Sequence, residues 1–83
     1  MRLDSRSVSP GEWLRVKYEG SSLRPYHIQI GTAHPIPAFF DREGGIQYLQ
    51  ARCPFMKAAH YNVSVIDGET LEASRVGTVR VAP

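Results

Sequence analysis

Three stretches of this chain alternate apolar and polar residues with a period of two. In Glu12–Glu19, Leu14, Val16 and Tyr18 share one face, with Trp13, Arg15, Lys17 and Glu19 on the other. In Leu23–Ile30, Tyr26, Ile28 and Ile30 share a face opposite His27 and Gln29. Gly20-Ser21-Ser22 between them is turn chemistry, so these two stretches predict a β-hairpin. His60–Ile66 alternates again, with Tyr61, Val63 and Val65 against His60, Asn62 and Ser64. Asp67-Gly68 then gives the strongest hairpin turn signal in the chain. Val79 and Val81 predict a last strand near residues 78–82, with Thr78 and Arg80 outward and Ser74-Arg75 a bulge or break.

Between these stretches lies Phe39–Ala59, where the period changes. Ile46, Leu49 and Cys53 fall at i, i+3 and i+7, which predicts a helix over residues 42–53. Asp41 is placed to cap its N-terminus and Glu43 to meet its dipole. Gly44 and Gly45 weaken that start, and Pro54 ends or kinks the helix. The order β-β-α-β-β predicts an α+β fold, an antiparallel sheet with one helix packed on one face. Residues 1–11 read as a flexible N-terminal arm, and residues 12–83 as a single α+β domain. One helix leaves part of a four-stranded sheet open to solvent or to a second copy.

Composition narrows the function by exclusion. The 83 residues hold ten basic and eight acidic side chains, a net charge of +2 that by itself names neither a nucleic acid nor a membrane as partner. One cysteine excludes an intramolecular disulfide and a cysteine-based zinc cage. The N-terminal stretch lacks the apolar core of a signal peptide, and no run reaches the roughly 20 apolar residues of a membrane span. A cytoplasmic setting without membrane partner is the expectation.

No catalytic or metal motif stands out. His27, His34 and His60 fall in different elements, and a Cys53–His60 pair has nothing to orient it. His34, His60 and Asp41 lack a recognised ligand spacing, and Gly44-Gly45 lacks the pattern of a phosphate loop. The expectation is a protein that is not an enzyme and uses no metal or cofactor.

The candidate sites are therefore surfaces. Trp13, Arg15, Lys17, His27 and Gln29 would form one aromatic and basic sheet face, suited to a protein partner or to stacked, single-stranded nucleic acid. The same residues also fit an ordinary solvated face. Phe39 and Phe40, delivered by the stiff His34-Pro35-Ile36-Pro37 segment, would either anchor a partner or cap the core. Arg75 and Arg80 mark a terminal strand that would lie at a sheet edge.

The order hairpin, helix, then a strand ending Arg80-Val81-Ala82-Pro83 is similar to small phage inhibitors of bacterial RNA polymerase. That resemblance implies a compact protein acting by occupying a partner's surface, and it carries over only Arg75 and Arg80. The reading that results is a non-enzymatic protein-binding module or inhibitor. Its alternatives are a single-stranded nucleic-acid-binding domain on the Trp13 face and a structural subunit that forms a homodimer through its sheet.

Overall fold

The computed structural model describes residues 1–20 and 24–83, and none of them is helical. Among these residues nine strands form: β1 (Arg2–Leu3), β2 (Ser7–Val8), β3 (Trp13–Lys17), β4 (Tyr26–Ile30), β5 (Ile36–Pro37), β6 (Phe39–Glu43), β7 (Ile46–Arg52), β8 (Ala59–Asp67) and β9 (Ala73–Val81). They make two sheets, ordered β1-β3-β7-β6 and β2-β9-β8-β4-β5. Every pairing among them is antiparallel except β2 with β9. The inner faces meet in one core that includes Leu14, Val16, Leu49 and Ala51 from the first sheet and Ile28, Ile30, Val63, Val65, Val79 and Val81 from the second.

This all-β sandwich replaces the expected α+β fold. The segment expected to be helical is a hairpin of β6 and β7, with Glu43 opposite Ile46 across Gly44-Gly45. Both glycines have positive φ, 60° and 78°, the signature of the tight type I′ turn whose twist matches that of the flanking strands. The helical period arose by coincidence. Leu49 and Cys53 do point inward, but Ala51 joins them, and the true inward set has a period of two. Ile46 is exposed, while Tyr48 is buried on the outer face under the Arg15 guanidinium, so β7 buries side chains on both faces and alternation is masked.

The first two long strands do not form the expected hairpin. β3 pairs with β1 and β7, whereas β4 pairs with β5 and β8, so the chain crosses between sheets after Lys17. Ser21, Ser22 and Leu23, part of the expected turn and strand start, lie outside the described residues. The segment expected as a flexible arm carries β1 and β2, one in each sheet, and Val8 is buried in the core. The face expected to stay open is covered by the second sheet, which removes the reason for closing it with a second copy. Without a helix, the likeness to polymerase inhibitors loses its basis.

β8 and β9 do form a hairpin, closed by the longer loop 68–72 instead of a two-residue turn. Asp67 organises that loop: its Oδ1 accepts from the Glu69 and Thr70 amides at 2.8 and 3.3 Å, and Arg24 pairs with its carboxylate. The Glu69 amide bond, chiefly, holds the Asp67 carboxyl below its usual range. In the ladder Val63 pairs with Gly77 and Ser64 with Arg75, so Val76 is the extra residue of a bulge, just beyond the place the sequence marked.

The strand orders 1-3-7-6 and 9-8-4 are the A-B-E-D and G-F-C sheets of immunoglobulin-type sandwiches. One local device agrees. Tyr61, at the start of β8, donates its hydroxyl to the Lys57 carbonyl at 2.7 Å, as the tyrosine corner of such domains does. Two residues later, where antibody domains place a disulfide cysteine, Val63 packs in the core. Tyr61→Phe is expected to lower stability by about 1 kcal/mol and the melting temperature by about 4–8 °C. An unchanged melting curve would show that this bond adds nothing.

Candidate functional site

The outer face of the β1-β3-β7-β6 sheet carries the densest set of interacting side chains. Its rows follow from the register: Trp13 beside Arg52, then Arg15, Gln50 and Phe39, then Lys17, Tyr48 and Asp41, and last Ile46 beside Glu43. Arg15 lies over the Tyr48 ring at 3.9 Å and donates to Asp41 Oδ2 and Glu43 Oε2, each at 3.0 Å. That clamp consumes the Arg15 charge. Lys17 Nζ is a looser 3.7 Å from Asp4 Oδ1.

At the other end of this face two aromatics are partly exposed. The Trp13 and Phe39 rings meet edge-on at 6.4 Å, and the Arg52 guanidinium covers Trp13 at 4.1 Å. Arg52 is itself oriented by donating to the Gly11 carbonyl at 2.8 Å. Trp13 is 36% exposed and Phe39 59%. Around them stand a guanidinium, the Gln50 amide and the Asp41 carboxylate, planar groups able to hydrogen-bond a ligand lying on the rings.

The expected site residues are thus partly gathered and partly scattered. Trp13, Arg15 and Lys17 share an outer face, as the alternation implied. His27 and Gln29 lie on the other sheet and point away from the core there. The phenylalanine pair is split, because neighbouring strand residues face opposite ways. Phe39 joins Trp13, while Phe40 turns inward to Tyr18 and Tyr26, with ring centroids 5.4 and 6.3 Å away. Arg75 and Arg80 are exposed on β9, which is flanked by β8 and, along its last residues, by β2. Arg75 donates to Thr78 Oγ1 at 3.3 Å.

Sequence reasoning misses Tyr48, Gln50, Arg52, Asp41 and Glu43 as parts of the face, because a helical reading of residues 42–53 removes the strand that aligns them. Gly44-Gly45 is the available signal. Read as a hairpin turn, it places 41 opposite 48 and 39 opposite 50 at once. Cys53 is buried, and burial followed by the nearby Glu12 charge pushes its thiol up, away from the reactive thiolate. Among the described residues no group of three or more His, Cys, Asp or Glu side chains is placed to hold a metal ion.

No family model matches the chain, and no curated protein does. Among solved structures it is similar to SGBP-B of the Bacteroides ovatus mixed-linkage glucan utilization locus, determined in complex with a mixed-linkage heptasaccharide. The TM-score is 0.75 at 23% identity, over 95% of this chain and 20% of that one. At that identity the likeness establishes a shared fold, and this chain spans about a fifth of the length of the protein it resembles.

Proposed function

We propose that this chain is a non-catalytic carbohydrate-binding module that seats its ligand on Phe39, Trp13 and Arg52. The observation that carries this reading is the partly exposed, edge-on Trp13–Phe39 pair on the outer sheet face, with Gln50, Asp41 and Arg52 in the neighbouring rows. A sugar ring has a face of C–H groups and a rim of hydroxyls. The first suits an exposed aromatic and the second suits planar hydrogen-bonding side chains. The sandwich shared with a protein solved in complex with a heptasaccharide supports the same reading. Nucleic-acid binding has less support, because Arg15 is already held by two carboxylates that would repel a phosphate backbone.

Trp13 is the only tryptophan, so its fluorescence reports on the site directly. Titration with a panel of neutral oligosaccharides, a mixed-linkage heptasaccharide among them, is expected to shift its emission saturably. Phe39→Ala should weaken that binding about tenfold, ~1.4 kcal/mol, with an unchanged circular dichroism spectrum. If no member of the panel binds, or if Phe39→Ala binds as well as the parent, the reading fails.

Occupation of a partner protein's surface is the second reading, favoured by Phe55, which is 97% exposed in the loop between β7 and β8. On that reading Phe55→Ser leaves the melting temperature unchanged and abolishes capture of the partner. On the carbohydrate reading the same change leaves oligosaccharide affinity as it was.

A further inference from the structure

At the end of the β1-β3-β7-β6 sheet remote from Phe39, beside the Gly44-Gly45 turn, lies a cleft of about 440 Å³ lined by residues from both faces that include Arg2, Lys17, Glu19, Arg42, Ile46 and Gln47. We propose that it receives one carboxylate or sulfate group of an acidic oligosaccharide, an inference that rests on the carbohydrate-binding reading above.

The charge balance points to an anion. Three cations line the cleft against Glu19, and one of them, Lys17, already stands 3.7 Å from Asp4. Arg15 is neutralised by two carboxylates, but among the described residues none pairs with Arg2 or Arg42. Arg42 is nevertheless held in place. The Gln47 amide, in the orientation its neighbours require, accepts from Arg42 Nη2 at 3.1 Å and donates to the Gly20 carbonyl at 3.2 Å. A guanidinium positioned this way matches the paired oxygens of a carboxylate or sulfate. Its remaining N–H groups have no acidic partner among the described residues.

Position adds the second argument. Trp13 and Lys17 share the outer face of β3 four residues apart, about 13 Å at the rise of a strand. Lys17 and Ile46 bring the cleft onto the face that carries Trp13, while Arg42 and Gln47, which share the parity of Phe40 and Leu49, reach it from the other side around the end of the sheet. Asp41 stands in the Lys17 row and Glu43 opposite Ile46, both carboxylates turned to Arg15, which disfavours a densely charged polyanion and favours a ligand with a single acidic group.

The test uses three oligosaccharides of equal length: one neutral, one ending in a uronic acid and one ending in a sulfate. Each is titrated into the intact chain and into the Arg2→Ala, Arg42→Ala double variant, followed by Trp13 fluorescence and calorimetry. At least one acidic ligand is expected to bind about tenfold or more tighter than the neutral one at low salt, and which arm gains identifies the group. The advantage should shrink at high salt and vanish in the double variant, with neutral affinity unchanged. If the double variant does not fold, Arg42→Gln alone is expected to remove at least about threefold of the advantage. Equal affinity for all three ligands, or an advantage that survives the substitutions, overturns the acidic subsite and leaves the carbohydrate reading standing. Failure of all three to bind overturns that reading and this inference with it.

Discussion

Leu49→Ala is expected to remove about 2–5 kcal/mol of folding stability, the largest loss foreseen for a single change in this chain. Leu49 is fully buried in the centre of β7, facing Val16 on β3 and Phe40 on β6 across the ladder. Its truncation leaves a cavity between sheets, and sheets tied by backbone hydrogen bonds on both sides have little freedom to close it. A domain of this size has roughly 4–12 kcal/mol in total. The melting temperature should therefore fall by about 10–30 °C, and part of the population should be unfolded at room temperature. A loss below about 0.5 kcal/mol in denaturant titration would remove Leu49 from the core.

That expectation survives the change of fold, and the reason shows what was legible. Hydrophobicity alone marks Leu49 as inward, whether residues 42–53 coil or extend. The same holds for Leu14, Val16, Ile28, Ile30, Val63, Val65, Val79 and Val81, each placed inward by local alternation and each buried. Local pattern records which side of a strand meets the core. It does not record which strand lies alongside. β3 and β4 follow one another yet belong to different sheets, and the partner of β3 is β7, which begins at Ile46. Residues 1–11 were illegible for a related reason. Strands of two residues have no period to detect, and β1 and β2 exist only because β3 and β9 offer them a paired edge.

The candidate site repeats this division. Trp13, Arg15 and Lys17 could be placed on one face from their spacing. The chemistry of that face could not, because it depends on which groups approach from β6 and β7. Arg15 looked like a free cation suited to phosphate, whereas Asp41 and Glu43 reach it from 26 and 28 residues away in sequence. The aromatic partner of Trp13 is Phe39, brought near by the same ladder. Each residue type was visible. Their company was set by one turn.

That turn gives the second large expectation, and its sign separates the two folds. Gly44→Ala combined with Gly45→Ala is expected to destabilise the chain by about 2–4 kcal/mol, since each left-handed residue costs an L-amino acid roughly 1–2 kcal/mol. Both positions have open space where a Cβ would stand, so the cost is conformational and not a clash. In a helix the same pair of changes would do the opposite, stabilising by about 1 kcal/mol per glycine replaced. Thermal melts of the parent and the double variant decide between them. A drop of about 10–25 °C is the outcome for a hairpin, and any rise would contradict it. The single change Gly44→Asn, which leaves Gly45 in place, should melt close to the parent, because asparagine tolerates positive φ. If Gly44→Asn proves as damaging as the double alanine change, the left-handed turn is not the source of the loss.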